Sequence, residues 1–392
     1  MLGITVWGLA LGQGLLVTGN ILLVSVTALI GHKLAPSLEL ATLPIAFQFL
    51  GLMGVTLPAA LLMGWLGRKL GFLIGNLIGV LGAALAYVAV EGQLFELFCL
   101  STFLLGMAIG VGQQYRFAAT EHAPKEKAPQ AISLIMGAGI VAAILGPNLA
   151  VWFADWSDIK YLGAFAALFG LYALTTLLIL LLPLQKPAPL SKTEQASSYL
   201  TLLKNPTLLS AITAGAIGYS VMVLVMTATP LAMQGCGFGF DSTASVIQWH
   251  VLGMFAPSFI TGRLITRFGT QKIIYLGCIM LLGCVLLNQF GLTYWHFWTA
   301  LVLLGIGWNF TFIGATNLLT NSYRPVDKAR VQGLNDFMVF STSAAASLLA
   351  GYWYNLFGWE LLNLLMIPAI LLAMFTLMSS RKRAVLLARS ES

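Results

Sequence analysis

Uninterrupted apolar stretches of about twenty residues recur along the whole of this 392-residue chain, and that recurrence limits the fold more than any motif does. A helix rises about 1.5 Å per residue, so about 20 apolar residues cross a hydrocarbon layer about 30 Å thick. Twelve spans are expected, at 5–30, 40–63, 71–90, 94–118, 130–152, 161–183, 207–233, 242–264, 271–290, 294–320, 331–354 and 360–379. Only 8% of residues are charged and 59% are hydrophobic, whereas a soluble domain carries about 25% charged residues. In lipid every backbone polar group must be bonded within its own segment, which makes the spans helical. The expected class is an all-α integral membrane protein in contact with the bilayer, with no soluble domain beyond the polar connector 184–206. The opening "MLGITVWGLALG" has no basic n-region and no small-residue cleavage site, so its apolar run is expected to be a retained helix. Cys99, Cys236, Cys278 and Cys284 show neither paired zinc spacing nor a disulfide framework, and no cofactor is expected.

The net charge of +7 admits nucleic acid as a partner until its distribution is read. Sixteen of the twenty Lys and Arg lie in 64–70, 119–129, 184–206, 265–272, 321–330 and the 380–392 tail. Arg116 and Arg263 sit in helix ends on that side, and only Lys33 and Lys160 lie on the other. The positive-inside rule then puts both termini and the connector in the cytoplasm, and nucleic acid is excluded.

The two halves of the chain echo each other. "GVTLPAALLMGWLGRKLG" at 54–71 matches "GMFAPSFITGRLITRFG" at 253–269, with Gly54, Pro58, Gly64, Leu66 and Gly71 opposite Gly253, Pro257, Gly262, Leu264 and Gly269. The plan resembles the major facilitator superfamily: two six-helix halves in parallel pseudo-repeat, with substrate near the midplane. The halves are placed at 1–183 and 207–379, the connector at 184–206 and a basic tail at 380–392. The loop also resembles the superfamily signature G-x-L-x-D-R-x-G. Gly262, Leu264, Arg267 and Gly269 fit it, with Thr266 at the acidic position. In the first copy Gly64, Leu66 and Gly71 fit, with Arg68 at the acidic position.

Ionisable groups inside a membrane are expensive and mark function. All thirteen acids are expected outside the helix centres: Glu39, Glu91, Glu96, Asp155, Asp158, Asp241 and Glu360 near outer ends, the rest near inner ends. Asp336, one turn into the eleventh span, is the deepest. Arg116 in "GQQYRFAATEH" reads first as snorkelling to the interface and second as a gating residue with Glu121 or Asp336. Arg267 of the signature loop is a further gating candidate.

In "YSVMVLVMTATPLAM" (219–233), Met222, Met226 and Met233 fall on one helical stripe; "IQWHVLGMFAP" (247–257) sets His250 four residues before Met254. Counting from the outer helix ends, His250 lies about 12 Å deep, Met254 about 18 Å, Met226 about 10 Å and Met222 about 16 Å. If the two faces meet, three thioethers and an imidazole converge without a carboxylate. Soft sulfur ligands suit Cu(I) and stay neutral at every pH. Zinc favours thiolates or more imidazoles. Equally, methionine fills gaps in apolar packing, as a second pair at this spacing, Met374 and Met378, illustrates.

These motifs resemble the CcoA-like copper transporters, a branch of the same superfamily with Met-x-x-x-Met in the seventh helix and His-x-x-x-Met in the eighth. The resemblance extends to "MTATPLAM", "GQQYRFAA", "GIGWNF" and "NDFMVF". It implies a monomer in the bacterial inner membrane importing copper for a haem–copper oxidase of the cbb3 type. Copper would be substrate, held by Met222, Met226, His250 and Met254. A cytoplasmic copper chaperone or oxidase assembly factors are the implied partners. Cys236 in "QGCGFGF" resembles a family cysteine near the same site, where a thiol is open to passing Cu(I) to Met226 or Met233 or to redox chemistry with another cysteine. The family's second cysteine has no counterpart, since no Cys follows Cys284.

Riboflavin carriers belong to the same branch, and drug exporters to the superfamily. A flavin site needs aromatic stacking and hydrogen-bond donors, for which Trp249, Trp308, Asn309, Asn317 and Gln248 are available. A non-transporting metal sensor or oxidase assembly factor is the alternative from another class. An enzyme is not expected: no nucleophile–base pair, phosphate loop or acid pair stands in a helix centre.

Overall fold

The computed structural model describes residues 2–37, 40–184 and 195–390, excepting the side chains of 28, 240 and 381–390. Glu39, residues 185–194 of the connector and the last two residues of the tail lie outside the described residues. The helices, in chain order, are α1 (Ile4–Leu34), α2 (Leu43–Leu66), α3 (Arg68–Glu91), α4 (Phe95–Gly112), α5 (Tyr115–Glu121), α6 (Ala128–Gly137), α7 (Gly139–Trp152), α8 (Leu162–Leu181), α9 (Tyr199–Leu203), α10 (Pro206–Gly235), α11 (Phe240–Phe255), α12 (Ser258–Phe268), α13 (Thr270–Leu287), α14 (Tyr294–Thr320), α15 (Lys328–Leu364) and α16 (Ile367–Ser390).

Among the described residues, ten helical stretches are long and apolar enough to cross a membrane. The expected span at 242–264 is not one of them. Pro257 has no N–H and ends α11 there, leaving two pieces each too short to qualify. The expected spans at 331–354 and 360–379 fall within a single stretch, Pro325–Ser380. Gly358 interrupts it at φ 71° and ψ 177°, a backbone that L side chains rarely adopt.

The signature loops differ in register. Gly67 turns the chain in the first copy at φ 90°, so that α3 starts at Arg68. In the second copy Gly269 turns it at φ 95°, and α13 starts at Thr270. The turning glycines are therefore Gly67 and Gly269, while Gly71 lies inside α3. This places Arg68 after its turn and Arg267 before its own, which separates their environments.

Two compact units emerge. One comprises Met1–Ala123, Ala138–Ser191 and Gln332–Phe337; the other comprises Pro124–Gly137, Lys192–Val331 and Met338–Ser392. In the first, α2 packs on α4 where glycines let the backbones meet, as Gly106 does against Gln48 and Gly110 against Leu52. In the second, α13, α10 and α11 all pack on α14. A Cβ at Gly305 would lie 2.5 Å from the His250 carbonyl, and one at Gly253 would lie 2.9 Å from that of Val302. Only hydrogen at these positions lets α11 and α14 approach so closely.

Candidate functional site

Two regions gather most of the buried polar side chains that bear on function. The first lies within the first unit. The Gly67 turn delivers Arg68 to the start of α3, where Nη2 donates to Glu121 Oε1 at 2.6 Å and Nη1 to Gln114 Oε1 at 2.9 Å. The same Nη2 also reaches Gln332 Oε1 at 2.5 Å. Gln114 then donates to Asp336 Oδ2 at 2.8 Å, and Asn335 donates to Asp336 Oδ1 at 2.9 Å. Arg116 pairs with Asp336; the two side chains are 1% and 0% exposed. The Arg116 guanidinium also lies 4.6 Å from the centre of the Phe117 ring. The result is an unbroken chain from Glu121 through Arg68, Gln114 and Asp336 to Arg116, with two positive and two negative charges. Buried ions persist only when paired and hydrogen-bonded in this way.

Arg116 therefore does not snorkel. Three of the gating candidates, Arg116, Glu121 and Asp336, share one network, and Arg267 does not join it. Arg267 is exposed and stacks on Phe268 at 5.3 Å. Beside it, Thr266, at the signature's acidic position, accepts from Gln130 at 3.0 Å. Arg68, Gln114, Gln332 and Asn335 are additions to the expected set. For Arg68 the signal in the sequence was its place at the signature's acidic position; Gln114, Gln332 and Asn335 carried none.

The second region lies in the second unit. His250 is fully buried, and its Nδ1 meets the Leu301 carbonyl at 2.8 Å. A carbonyl only accepts, so Nδ1 carries the proton. Nε2 is buried without a hydrogen-bond partner. Pro257 leaves helix carbonyls short of donors. Asn309 of α14 donates to the Met254 carbonyl at 2.6 Å and to Ser258 at 2.7 Å, and it accepts from Thr261 at 2.7 Å.

Met222, Met233 and Met254 are buried, Met226 is half-buried, and Cys236 is an exposed free thiol ending α10. α10 and α11 each pack against α14 and touch each other much less. Their levels can be read along α14. Gly218 faces Thr311, and His250 faces Leu301. Met226 lies about 12 Å outward from Gly218 and Leu301 about 15 Å outward from Thr311, so Met226 and His250 share a level. Met222 matches Met254 on the same count. The thioethers and the imidazole are thus related through α14 rather than by a direct α10–α11 seam.

Inward of these groups stand stacked rings. Trp308 and Phe312 are parallel, with centroids 5.3 Å apart. Tyr219 presents its edge to Trp308, Phe312 and Phe340 at 5.5, 5.3 and 5.6 Å, and Phe255 packs on Trp308 at 5.9 Å. Of the other flavin candidates, Trp249 and Gln248 are exposed, while Asn317 donates to Thr270.

The chain matches the Major Facilitator Superfamily family model over residues 9–344 and 250–390. It belongs to the major facilitator superfamily. This superfamily member is a multi-pass membrane transporter, a carrier and not an enzyme. It is 40% identical over 372 residues to the riboflavin transporter RfnT of Brucella anthropi, covering 94% of each chain. It is also 30% identical to YdeG of Bacillus subtilis, an uncharacterized MFS-type transporter, over 88% of this chain and 86% of that one. Among solved structures, FucP in the outward conformation superposes with a TM-score of 0.76 at 17% identity, covering 96% of this chain and 98% of that one. A bacterial homologue of the iron transporter ferroportin gives 0.75 at 14%, over 96% and 99%. These structural likenesses show the fold alone. The superfamily expectation stands; membership of a copper branch is not shown, and the named cargo of the sequence relative is riboflavin, the alternative drawn from the sequence.

Proposed function

We propose that this carrier imports riboflavin or a closely related flavin. The 40% identity to RfnT along 94% of both chains supports this most. The chemistry of the interior agrees. The charges of the first region neutralise one another in a closed network. The rings of the second region and the unpartnered Trp308 N–H offer stacking and a neutral hydrogen bond, which suit an uncharged solute with an aromatic ring. The setting we infer is a bacterial inner membrane with both termini cytoplasmic and two six-helix halves, 1–183 and 207–379, joined by 184–206. The network of Arg68, Arg116, Glu121 and Asp336 fits a gating role. Uptake of radiolabelled riboflavin into proteoliposomes tests the reading. Time-dependent accumulation, competed by unlabelled riboflavin, is expected. Accumulation no greater than in empty liposomes contradicts it.

One observation favours a second reading, copper import for oxidase assembly through a cytoplasmic chaperone. His250 Nε2 is a buried, unpartnered lone pair, at the level of Met226 and one turn from Met254. Neutral nitrogen and sulfur donors suit Cu(I), and Met233 and Cys236 lie farther out on α10. This reading expects radiolabelled copper to accumulate, and Met222→Ala, Met226→Ala, His250→Ala and Met254→Ala each to abolish that uptake while leaving flavin uptake in place.

A further inference from the structure

We propose that the rings of Tyr219, Trp308, Phe312 and Phe340 form the seat for the planar ring of the solute, with the Trp308 indole N–H as its polar anchor. This rests on the flavin reading and adds the residues that would carry it.

Position is the first observation. Tyr219 is the fourteenth of the thirty residues of α10, and Trp308 the fifteenth of the twenty-seven of α14. Both lie within about 4 Å of their helix midpoints.

The second observation is an unpaired polar atom on one of these rings, with two more on residues that adjoin the cluster in sequence. Trp308 is 1% exposed, and its Nε1 has no acceptor. A buried indole N–H ordinarily finds one. The hydroxyls of Ser220 and Ser341, each next in sequence to a ring of the cluster, are also buried without partners. A helical serine or threonine normally returns its hydroxyl to a carbonyl one turn back. Thr229 on α10, Thr311 on α14 and Ser343 on α15 all do so. Ser220 and Ser341 do not.

An aromatic cluster packed only for stability needs none of these polar atoms. An unpaired indole N–H on a ring of the cluster, with two unpaired hydroxyls on the helices that carry Tyr219 and Phe340, suits a ligand with a π-face and hydrogen-bonding atoms on its rim: an uncharged planar heteroaromatic ring, of which isoalloxazine is an instance. A metal ion uses neither feature, and an aliphatic polyol has hydroxyls but no π-face to stack on the rings. Trp308, Phe312 and Phe340 are buried, and Tyr219 alone is partly open. Tyr219 is therefore the ring that must turn to admit the ligand.

Purified full-length protein in lipid nanodiscs is titrated with riboflavin and with lumichrome, the ring without its polyol chain. Quenching of their fluorescence gives the affinity. Trp308→Phe keeps a ring and removes the N–H, and Tyr219→Leu removes the movable ring. Each is expected to weaken both probes about tenfold, the order of one lost buried hydrogen bond or stacking contact. Trp249→Phe, at an exposed ring outside the cluster, is expected to bind as wild type does. Unchanged affinity in both cluster variants, with riboflavin still carried by the wild type, overturns this inference and leaves the flavin reading standing. A wild type that neither binds nor carries riboflavin overturns both. Should the ring variants fail to fold, Ser341→Ala decides, since it deletes only an unpaired hydroxyl. Weakening of about threefold supports the seat, and wild-type affinity overturns it.

Discussion

The buried charges around Asp336 and the buried neutral groups around Trp308 are built on opposite principles. Near Asp336 both carboxylate oxygens are bonded, and Arg68 and Arg116 each have a carboxylate. In the second region, the Trp308 indole N–H, His250 Nε2 and the hydroxyls of Ser220 and Ser341 are left without partners. Desolvation explains the contrast. An unpaired charge in a low-dielectric interior costs several kcal/mol, so ions must be neutralised within the protein. An unpaired neutral group costs about 1–3 kcal/mol, which a fold can carry where a ligand will offset it. Paired charges hold structure, whereas an unpartnered neutral group can be offset by a ligand that reaches it.

Breaking the closed network is expected to have the largest effect. Arg116→Ala or Asp336→Ala strands one charge and should cost about 3–5 kcal/mol, seen as a large fall in melting temperature in detergent. Replacing the pair with Met and Leu together should recover most of that loss; a double variant as unstable as the singles would show that the pair does more than neutralise charge. Asn309→Ala comes next. It leaves the Met254 carbonyl and the Ser258 hydroxyl short of a partner, while the Thr261 hydroxyl keeps the Pro257 carbonyl, at about 1–3 kcal/mol. Hydrogen exchange should rise at residues 254–261 and stay unchanged along α2.

Much of the closed network was legible. Asp336 deep in an apolar run is a candidate partner for Arg116, while Arg68 at an acidic position reads only as a departure from the signature. Their joining was not legible, because the Gly67 turn shifts the first signature loop against the second, and aligned glycines do not reveal which one turns the chain. The same shift explains why Arg267 stays in solvent. The open region was legible in composition and not in packing. Spacing puts Met226 near the level of His250, and counting along α14 sets them about 12 and 15 Å outward. It could not show that α10 and α11 both rest on α14. The Pro257 break was written in the sequence, but its repair by Asn309 comes from a residue about fifty positions away.

The smallest effect is expected at the connector. Ser197 N–H donates to Asp327 Oδ1 at 2.6 Å, and Arg324 Nε donates to Asp327 Oδ2 at 2.9 Å. Burial by itself raises this carboxyl, but the Ser197 and Arg324 contacts outweigh it and hold it below its ordinary value of 3.8. A depressed folded value means that the clamp is fully present above pH 3.8 and is lost as pH falls through the lower folded value. Arg324 is 62% exposed, so salt should weaken the contact, which is worth less than about 1 kcal/mol. Asp327→Asn should speed proteolysis near 195–204 at neutral pH by a few-fold at most, with transport retained. A large loss of transport would mean that the connector belongs with the closed network in importance.

If the open, neutral region receives a flavin, riboflavin uptake depends on Trp308. The most direct measurement compares initial rates of radiolabelled riboflavin uptake into proteoliposomes holding wild-type protein, Trp308→Phe or Trp249→Phe. The account predicts saturable uptake by the wild type, unchanged in Trp249→Phe and shifted to about tenfold higher KM in Trp308→Phe. Equal KM in all three, or no uptake by any, would contradict it.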